Sequence, residues 1–428
     1  MSFKSSLILC AYKAATALIA PLGAMFLAYK KRRDPPYGRR IFELLGFYNV
    51  SFHRSIWFHT VSVGEVNAAA PLIKAFVKNH PKLNVVVTTT TTTGAEQVKK
   101  ISGVTHLFAP LDSPIALRRF TNAIKPSHLF IMETELWPNL LDEAHKKNIK
   151  LIVFNARMPE KTCIKYEEHL TLIKDLISNK LDEVICQTED DAKRFIRIGV
   201  PENKVSISGS LKYDLKPNEA LFFDARTGIK PHFKDKFVLC AFSTHEGEEA
   251  LLIDACIQIR SKHPNLRFII VPRHPQDTAA TIKCLKGKSL PYALRSSFNQ
   301  NLAAWGDEIL IGDTMGEMEL YLGLSDATFA GGSFVDIGGH NPLEPAFFAL
   351  PVITGPIYYN FKDLFETLFD CEGAILVHNK EDLISAVSSL MVNPDRLKRV
   401  GLNAMAVQQQ GRGALDKTLK TIEANLIR

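Results

Sequence analysis

From residue 50 onward the chain keeps one rhythm: a short run rich in β-branched and aromatic residues, a turn, then a stretch with helical periodicity. The runs of the first half are "SIWFHTVS", "NVVVTTT", "HLFAP", "HLFIME", "KLIVFNA", "EVICQT" and "VSISGS", and stretches such as "APLIKAFVKNH" and "TEDDAKRFIRIG" follow them. A helix after each strand returns the chain to the same end of the sheet, so successive strands run parallel with helices on both faces. The rhythm breaks in "LKYDLKPNEALFFDARTGIKPHF", then restarts with "KFVLCAFS", "LRFIIVP", "EILIGDT", "DATFAGG", "PVITG" and "AILVHN". At 428 residues the chain is too long for one comfortable core. The expected fold is α/β with two doubly wound Rossmann-like domains, residues 34–215 and 216–405, joined near 214–232. A helical tail, 406–428, is placed to cross back onto the first domain.

Residues 1–33 stand apart. "SSLILCAYKAATALIAPLGAMFLAYKKRRDPPYGRR" is apolar but interrupted by Lys13 and Pro21. Its uncharged part, Ala14 to Tyr29, falls short of the roughly 20 residues of a clean membrane span. The basic cluster Lys30, Lys31, Arg32 and Arg33 follows the apolar part, the reverse of a secretory leader. This reads as a membrane anchor whose basic flank meets anionic headgroups on the cytoplasmic side; the alternative is a helix packed on its own protein. The net charge of +7 asks for an anionic partner, and no nucleic-acid-binding module accompanies it, which leaves lipid or a phosphorylated small molecule. Seven scattered cysteines without a C-x-x-C pair argue against a zinc site or disulfide framework and for a reducing compartment.

Ligands of open parallel sheets bind beyond the carboxyl ends of the strands. In the second half those ends carry "STHEGEE", then "VPRHP" with Pro272 and Arg273, then "GDTMGE" with Met315, Gly316 and Glu317, then "GGSFVDIGGHNPLEP". Arg273 is a fixed cationic fork suited to a phosphate. In the last stretch Asn341, Pro342 and Glu344 have the spacing of a helix cap, first helical position and capping-box acid. That pattern leaves His340 and the paired glycines 331–332 and 338–339 unexplained. Close-approaching backbone N–H groups at a helix start form an anion cradle, and a nucleotide is the expected ligand. In the first half the strand ends deliver Glu65 in "SVGE", Glu133 and Glu135 in "METEL", Arg157 in "NAR", and Ser210 and Lys212 in "GSLK". A helix start lowers the pKa of Glu65 and an apolar cleft raises it; the sequence leaves the balance open.

"SVGE", "METELWPN", "NAR", "GSLK", "STHEGEE", "VPRHP", "GDTMGE" and "GGHNPLEP" occur in this order, and the chain resembles the bacterial 3-deoxy-D-manno-octulosonic acid (Kdo) transferases of lipid A assembly over essentially its whole length. The resemblance implies a GT-B glycosyltransferase with two Rossmann-like domains facing a cleft. Such an enzyme passes Kdo from CMP-Kdo, with inversion, to the disaccharide lipid A precursor (lipid IVA) at the cytoplasmic face of the inner membrane. It implies Glu65 as proton acceptor, Glu133 and Lys212 as transition-state stabilisers, and CMP contacts at Pro272, Arg273, Met315, Gly316, Glu317, Asn341, Pro342, Leu343 and Glu344. No cofactor is implied. A CMP-sugar carries one phosphate and no clustered carboxylate motif is present, so transfer without a metal is expected. Two departures stand out: Ile337 occupies a place that is basic in some relatives, and the threonine run 88–93 is unusually uniform. The rival readings are a sugar-nucleotide epimerase of the same fold and a non-catalytic lipid-binding protein.

Overall fold

The computed structural model describes residues 1–30, 40–214, 217–298 and 302–427. The chain divides into two compact units, Met1–Asp214 with Arg412–Arg428, and Leu215–Gly411. The first is built on β1 (Ser55–His59), β2 (Asn84–Thr89), β3 (Val104–Phe108), β4 (Pro126–Met132), β5 (Lys150–Ala156), β6 (Glu183–Cys186) and β7 (Val205–Ile207). They run parallel in the order β3-β2-β1-β4-β5-β6-β7. The second is built on β8 (Phe237–Thr244), β9 (Leu266–Pro272), β10 (Tyr292–Leu294), β11 (Ile309–Ile311), β12 (Ala327–Ala330), β13 (Val352–Thr354) and β14 (Ala374–Leu376), parallel in the order β10-β11-β9-β8-β12-β13-β14. Strand order reverses beside β1 in one unit and beside β8 in the other, the switch points where open sheets bind ligands.

Side-chain alternation explains why both faces are covered. Trp57 of β1 packs in one core layer with Val86, Leu129 and Leu151, whereas its neighbours Ile56 and Phe58 pack in the opposite layer with Val87, Phe130 and Phe154. Both faces of each strand are apolar, as a sheet clad on both sides requires. β10 lies outside the strand runs read from the sequence; at three half-buried residues on the sheet edge it leaves too short a pattern.

The expected joining segment near 214–232 falls within the second unit, as the bound at 216 requires, while the far boundary moves. Residues 217–233 form helical turns there: Phe222 packs with Leu322 and Leu350, and Arg226 and Lys230 flank Asp326. The helix Pro394–Gln410 remains with the second unit, so the return falls at Gly411/Arg412 and not at 405/406. The final helix, Ala414–Ile427, then packs on the first unit. Asp214 accepts the N–H groups of Gly413 and Leu415, each at 2.7 Å, and His128 Nε2 donates to the carbonyl of Asn425.

At the other end, the helix Phe3–Lys30 runs unbroken through Lys13 and Pro21. Among the described residues it is the one helix long and apolar enough to cross a membrane, a candidate anchor. Of the basic cluster that follows, Lys31, Arg32 and Arg33 lie outside the described residues.

Candidate active site

The carboxyl edge of the first sheet gathers its acids at the switch point. Ser62 caps the helix Val63–Asn79, and its hydroxyl accepts the N–H of Glu65 while donating to the Glu65 carboxylate at 2.9 Å. The same carboxylate accepts the N–H groups of Val61 and Ser62 at 2.9 and 3.2 Å. This capping box fixes the side chain at the mouth of β1. Burial nevertheless raises the Glu65 pKa from 4.5 to about 7; the hydrogen bonds from Val61 and Ser62 pull it back, and the charges of Glu133 and Glu135 add to the rise. Burial therefore outweighs the helix start. The outcome is a carboxylate that exchanges its proton near neutrality, the property a general base needs.

Glu133 leaves β4 with φ +56°, a backbone conformation that a non-glycine residue adopts only when its surroundings enforce it, and its N–H is held by the Phe154 carbonyl. Glu135, two residues on, is half-buried and its pKa is likewise raised by burial. Asn155, next to last in β5, has φ +51° where the register with β6 shifts, and its Oδ1 accepts the N–H of Leu211 at 3.0 Å. That bond ties "NAR" to "GSLK" and holds the turn Leu211–Tyr213, which carries Lys212. The scaffolding role of Asn155 was not read from the sequence, because its partner lies 56 positions away. The threonine run is structural here. Thr88 accepts Trp57 Nε1–H at 2.8 Å and bonds His59 Nδ1 at 2.9 Å; Thr90 bonds the Val61 carbonyl; Thr91 caps the helix Thr92–Val98. His59, fully enclosed, is held neutral, its pKa pushed by burial down to about 4.

In the second unit the relevant loops follow β11, β9, β8 and β12, four neighbours in the sheet. Gly331 passes so close to the end of β8 that a Cβ there would lie 2.5 Å from the Ser243 carbonyl oxygen. The expectation that the first glycine pair offers open N–H groups to a phosphate is corrected. The Gly331 N–H donates to the Phe242 carbonyl at 2.9 Å, and Glu248 takes the next ones, accepting from Gly332 at 2.6 Å, Ser333 at 3.3 Å and Phe334 at 3.4 Å, and also from His245 at 2.9 Å. "STHEGEE" thus supplies an internal anion for the cradle, a signal masked in the sequence by its look of a helix start.

The predicted capping box at Asn341–Glu344 is also corrected. The helix is short, Leu343–Phe347, with Pro342 at its cap position. Asn341 Oδ1 accepts the Leu343 N–H at 3.1 Å, and the Glu344 side chain makes no cap bond. Burial raises the Glu344 pKa to about 7, the nearby Glu319 charge adds to this, and Arg273 opposes it. Arg273 is exposed; its backbone N–H donates to the Thr244 carbonyl, which fixes the residue beside the end of β8. His340 Nε2 lies 2.8 Å from His245 Nε2 with the rings nearly parallel, and burial together with the charge of Arg273 holds the His340 pKa down at about 3. Glu317 is clasped by Arg295 at 2.9 Å and by the hydroxyl of Thr314, while Met315 projects into solvent at 70% exposure next to Gly316, φ +78°. Arg295 was not singled out in the sequence, where "LRSSF" shows no motif. Arg273, Asn341 and Glu344 are thereby brought to one edge, with the Met315–Glu317 loop on the same side of the sheet.

Residues 39–215 match the family model of the 3-deoxy-D-manno-octulosonic-acid transferases (kdotransferases). A 3-deoxy-D-manno-octulosonic acid transferase of Haemophilus influenzae is 34% identical over 97% of this chain and 98% of its own length. Another, from Bordetella pertussis, is 31% identical over 86% of each chain. Among solved structures, the UDP-GlcNAc 2-epimerase of Neisseria meningitidis superposes with a TM-score of 0.56 over 87% of this chain and 100% of its own, at 14% identity. That likeness is one of fold alone.

Proposed function

The chain belongs to the 3-deoxy-D-manno-octulosonic acid transferase family, and on that premise we propose that it moves Kdo from CMP-Kdo to a hydroxyl of the disaccharide lipid A precursor, lipid IVA, with Glu65 as base. The observation that carries the reading is a helix-start carboxylate, oriented by three donor groups, whose proton affinity burial has moved to about pH 7. In the proposed step Glu65 takes the acceptor hydroxyl proton as that oxygen bonds to the anomeric carbon. The bond from that carbon to the CMP phosphate breaks, CMP leaves with the electron pair, and the centre inverts.

Positive charge develops on the sugar ring in such a transfer and negative charge on the departing phosphate. Glu133 is suited to the first and Lys212 to the second, as transition-state stabilisers. The donor's nucleotide is assigned to Pro272 and Arg273, the Met315–Glu317 loop, and Asn341, Pro342, Leu343 and Glu344. Arg273 is exposed and its side chain forms no internal ion pair among the described residues, so its fork is available to a phosphate. A nucleoside monophosphate leaving group has less charge to neutralise than a diphosphate, and fixed cations can meet it without a metal ion. The acceptor is a lipid, so the helix Phe3–Lys30 is assigned to the cytoplasmic side of the inner membrane, where tethering shortens the search. Incubating the protein with CMP-Kdo and lipid IVA and weighing the lipid product tests the proposal. The product should gain the mass of one or more Kdo units; an unchanged lipid with folded protein refutes it.

A further inference from the structure

The helix Phe3–Lys30 wears its polarity inside out. The side facing the first unit repeats every three to four residues, with Ser5, Leu9, Ala20 and Ala24 buried, and it carries the helix's polar contacts. The Ser2 N–H donates to Asp175 at 2.7 Å, Tyr12 donates to Asp112 at 2.8 Å, and Thr16 accepts from Asn139 at 2.9 Å. Lys13 pairs with Asp142, which also holds Lys146 at 3.0 Å and Lys180 at 3.4 Å. The outward side is apolar: Phe3, Leu7, Leu18, Leu22, Met25 and Phe26 are each more than 60% exposed. A helix on the surface of a water-soluble domain shows the opposite pattern.

The apolar surface continues past the helix. Leu27 packs with Leu44 and Ile41, next to the exposed Phe42, while Arg119 covers the ring of the half-exposed Phe47 at 4.2 Å. In the sequence, residues 30 to 40 that follow the helix carry Lys30, Lys31, Arg32, Arg33, Arg39 and Arg40 against the single acid Asp34. An apolar face followed directly along the chain by dense positive charge suits a bilayer of anionic lipid, whose acyl region lies beneath a negatively charged headgroup layer.

A span is long enough on paper: the helix measures roughly 42 Å at 1.5 Å per residue. Crossing would carry the Ser2 end away from the first unit, tear it from Asp175 and Asp112, strand Asp142 without Lys13, and draw Lys13 into hydrocarbon. Lying flat keeps every one of those contacts and buries the outward face. We propose that the helix lies in the plane of an anionic bilayer surface, docked on the first unit along its length, with both of its ends on the same side of the membrane as that unit. The inference rests on the membrane association assigned above and adds its geometry.

The test uses the full chain with a protease-cleavable extension ahead of Met1, bound to preformed vesicles of phosphatidylethanolamine and phosphatidylglycerol. Protease added outside should remove the extension completely without detergent. Protection until detergent is added means that the helix spans, and overturns the proposal. In parallel, Leu22→Glu and Phe26→Glu alter side chains that face solvent in the free protein, so the melting temperature should hold. Vesicle binding should weaken roughly tenfold for each, given the loss of buried apolar carbon and the added charge. Unchanged binding, or the loss of a concentration-dependent dimer in place of vesicle binding, also refutes the assignment. Both variants should transfer Kdo to detergent-dispersed acceptor like the parent. If the parent itself makes no product there, the functional reading fails while the vesicle result still stands.

Discussion

Replacing Glu65 with glutamine keeps its shape and removes its charge, and the surroundings of this residue set what should follow. Its carboxylate has an ordinary value of 4.5 raised to about 7, so the folded protein holds that proton more tightly than the unfolded chain does. Stability from this group is therefore greatest at low pH and falls as pH rises from about 4.5 to 7. Above that window the ionised, half-buried acid costs the fold about 3 kcal/mol as an upper figure. Glutamine is neutral throughout and loses this dependence. The difference in melting temperature between Glu65→Gln and the parent should thus move in the variant's favour between pH 5 and pH 8. Activity should do the reverse. Losing a general base lowers the rate by about 10²–10⁴-fold. In the parent, kcat/KM should drop about tenfold per pH unit below 7, to about one hundredth of its plateau at pH 5. Calorimetric binding of CMP should be unchanged, because the substitution leaves the second unit untouched. The reasoning is refuted if Glu65→Gln retains more than a tenth of the transfer rate. A melting-temperature difference that is flat from pH 5 to 8, or loss of CMP binding, refutes it equally.

Arg273→Ala should raise the KM for CMP-Kdo and weaken CMP binding by about ten- to a hundredfold, the worth of a charge-assisted phosphate contact, with an unaltered melting curve; wild-type affinity would remove the residue from the donor site. Asn155→Gly suits the left-handed backbone but deletes the acceptor for the Leu211 N–H, so it should lower stability by about 1–3 kcal/mol and depress kcat more than KM as the Lys212 turn loosens. An equal fall in both, or no fall, would sever the link from Asn155 to Lys212. Transfer should survive exhaustive EDTA treatment; activity lost and then restored by Mg²⁺ would defeat metal-free transfer.

Much of this molecule was legible from local pattern. Hydrophobic period, strand-end glycines and acids, and the break after "GSLKYD" are properties of neighbours in the chain, and each strand needs only a few consecutive residues to declare itself. β10 escaped because three residues carry no period. Asn155 escaped because its partner comes from another strand end.

The quantities that govern chemistry are sums over space. Ser62 and Glu65 spell a helix cap in the sequence, and the cap is there, yet the pKa of Glu65 depends on how much water the fold removes from around it and on carboxylates delivered by a different strand. Glycines at 331–332 promise open N–H groups, but tertiary packing gives the first to the Phe242 carbonyl and the second to the Glu248 carboxylate. The first helix is apolar enough to cross a membrane by composition; which side of it meets protein was decided by Asp112, Asp142 and Asp175, each a hundred or more positions from the residue it binds. Sequence alone determined that this chain builds two parallel sheets with reactive groups at their carboxyl edges. Desolvation and long-range pairing, which no local pattern encodes, determined the charge state, the contacts and the lie of those groups.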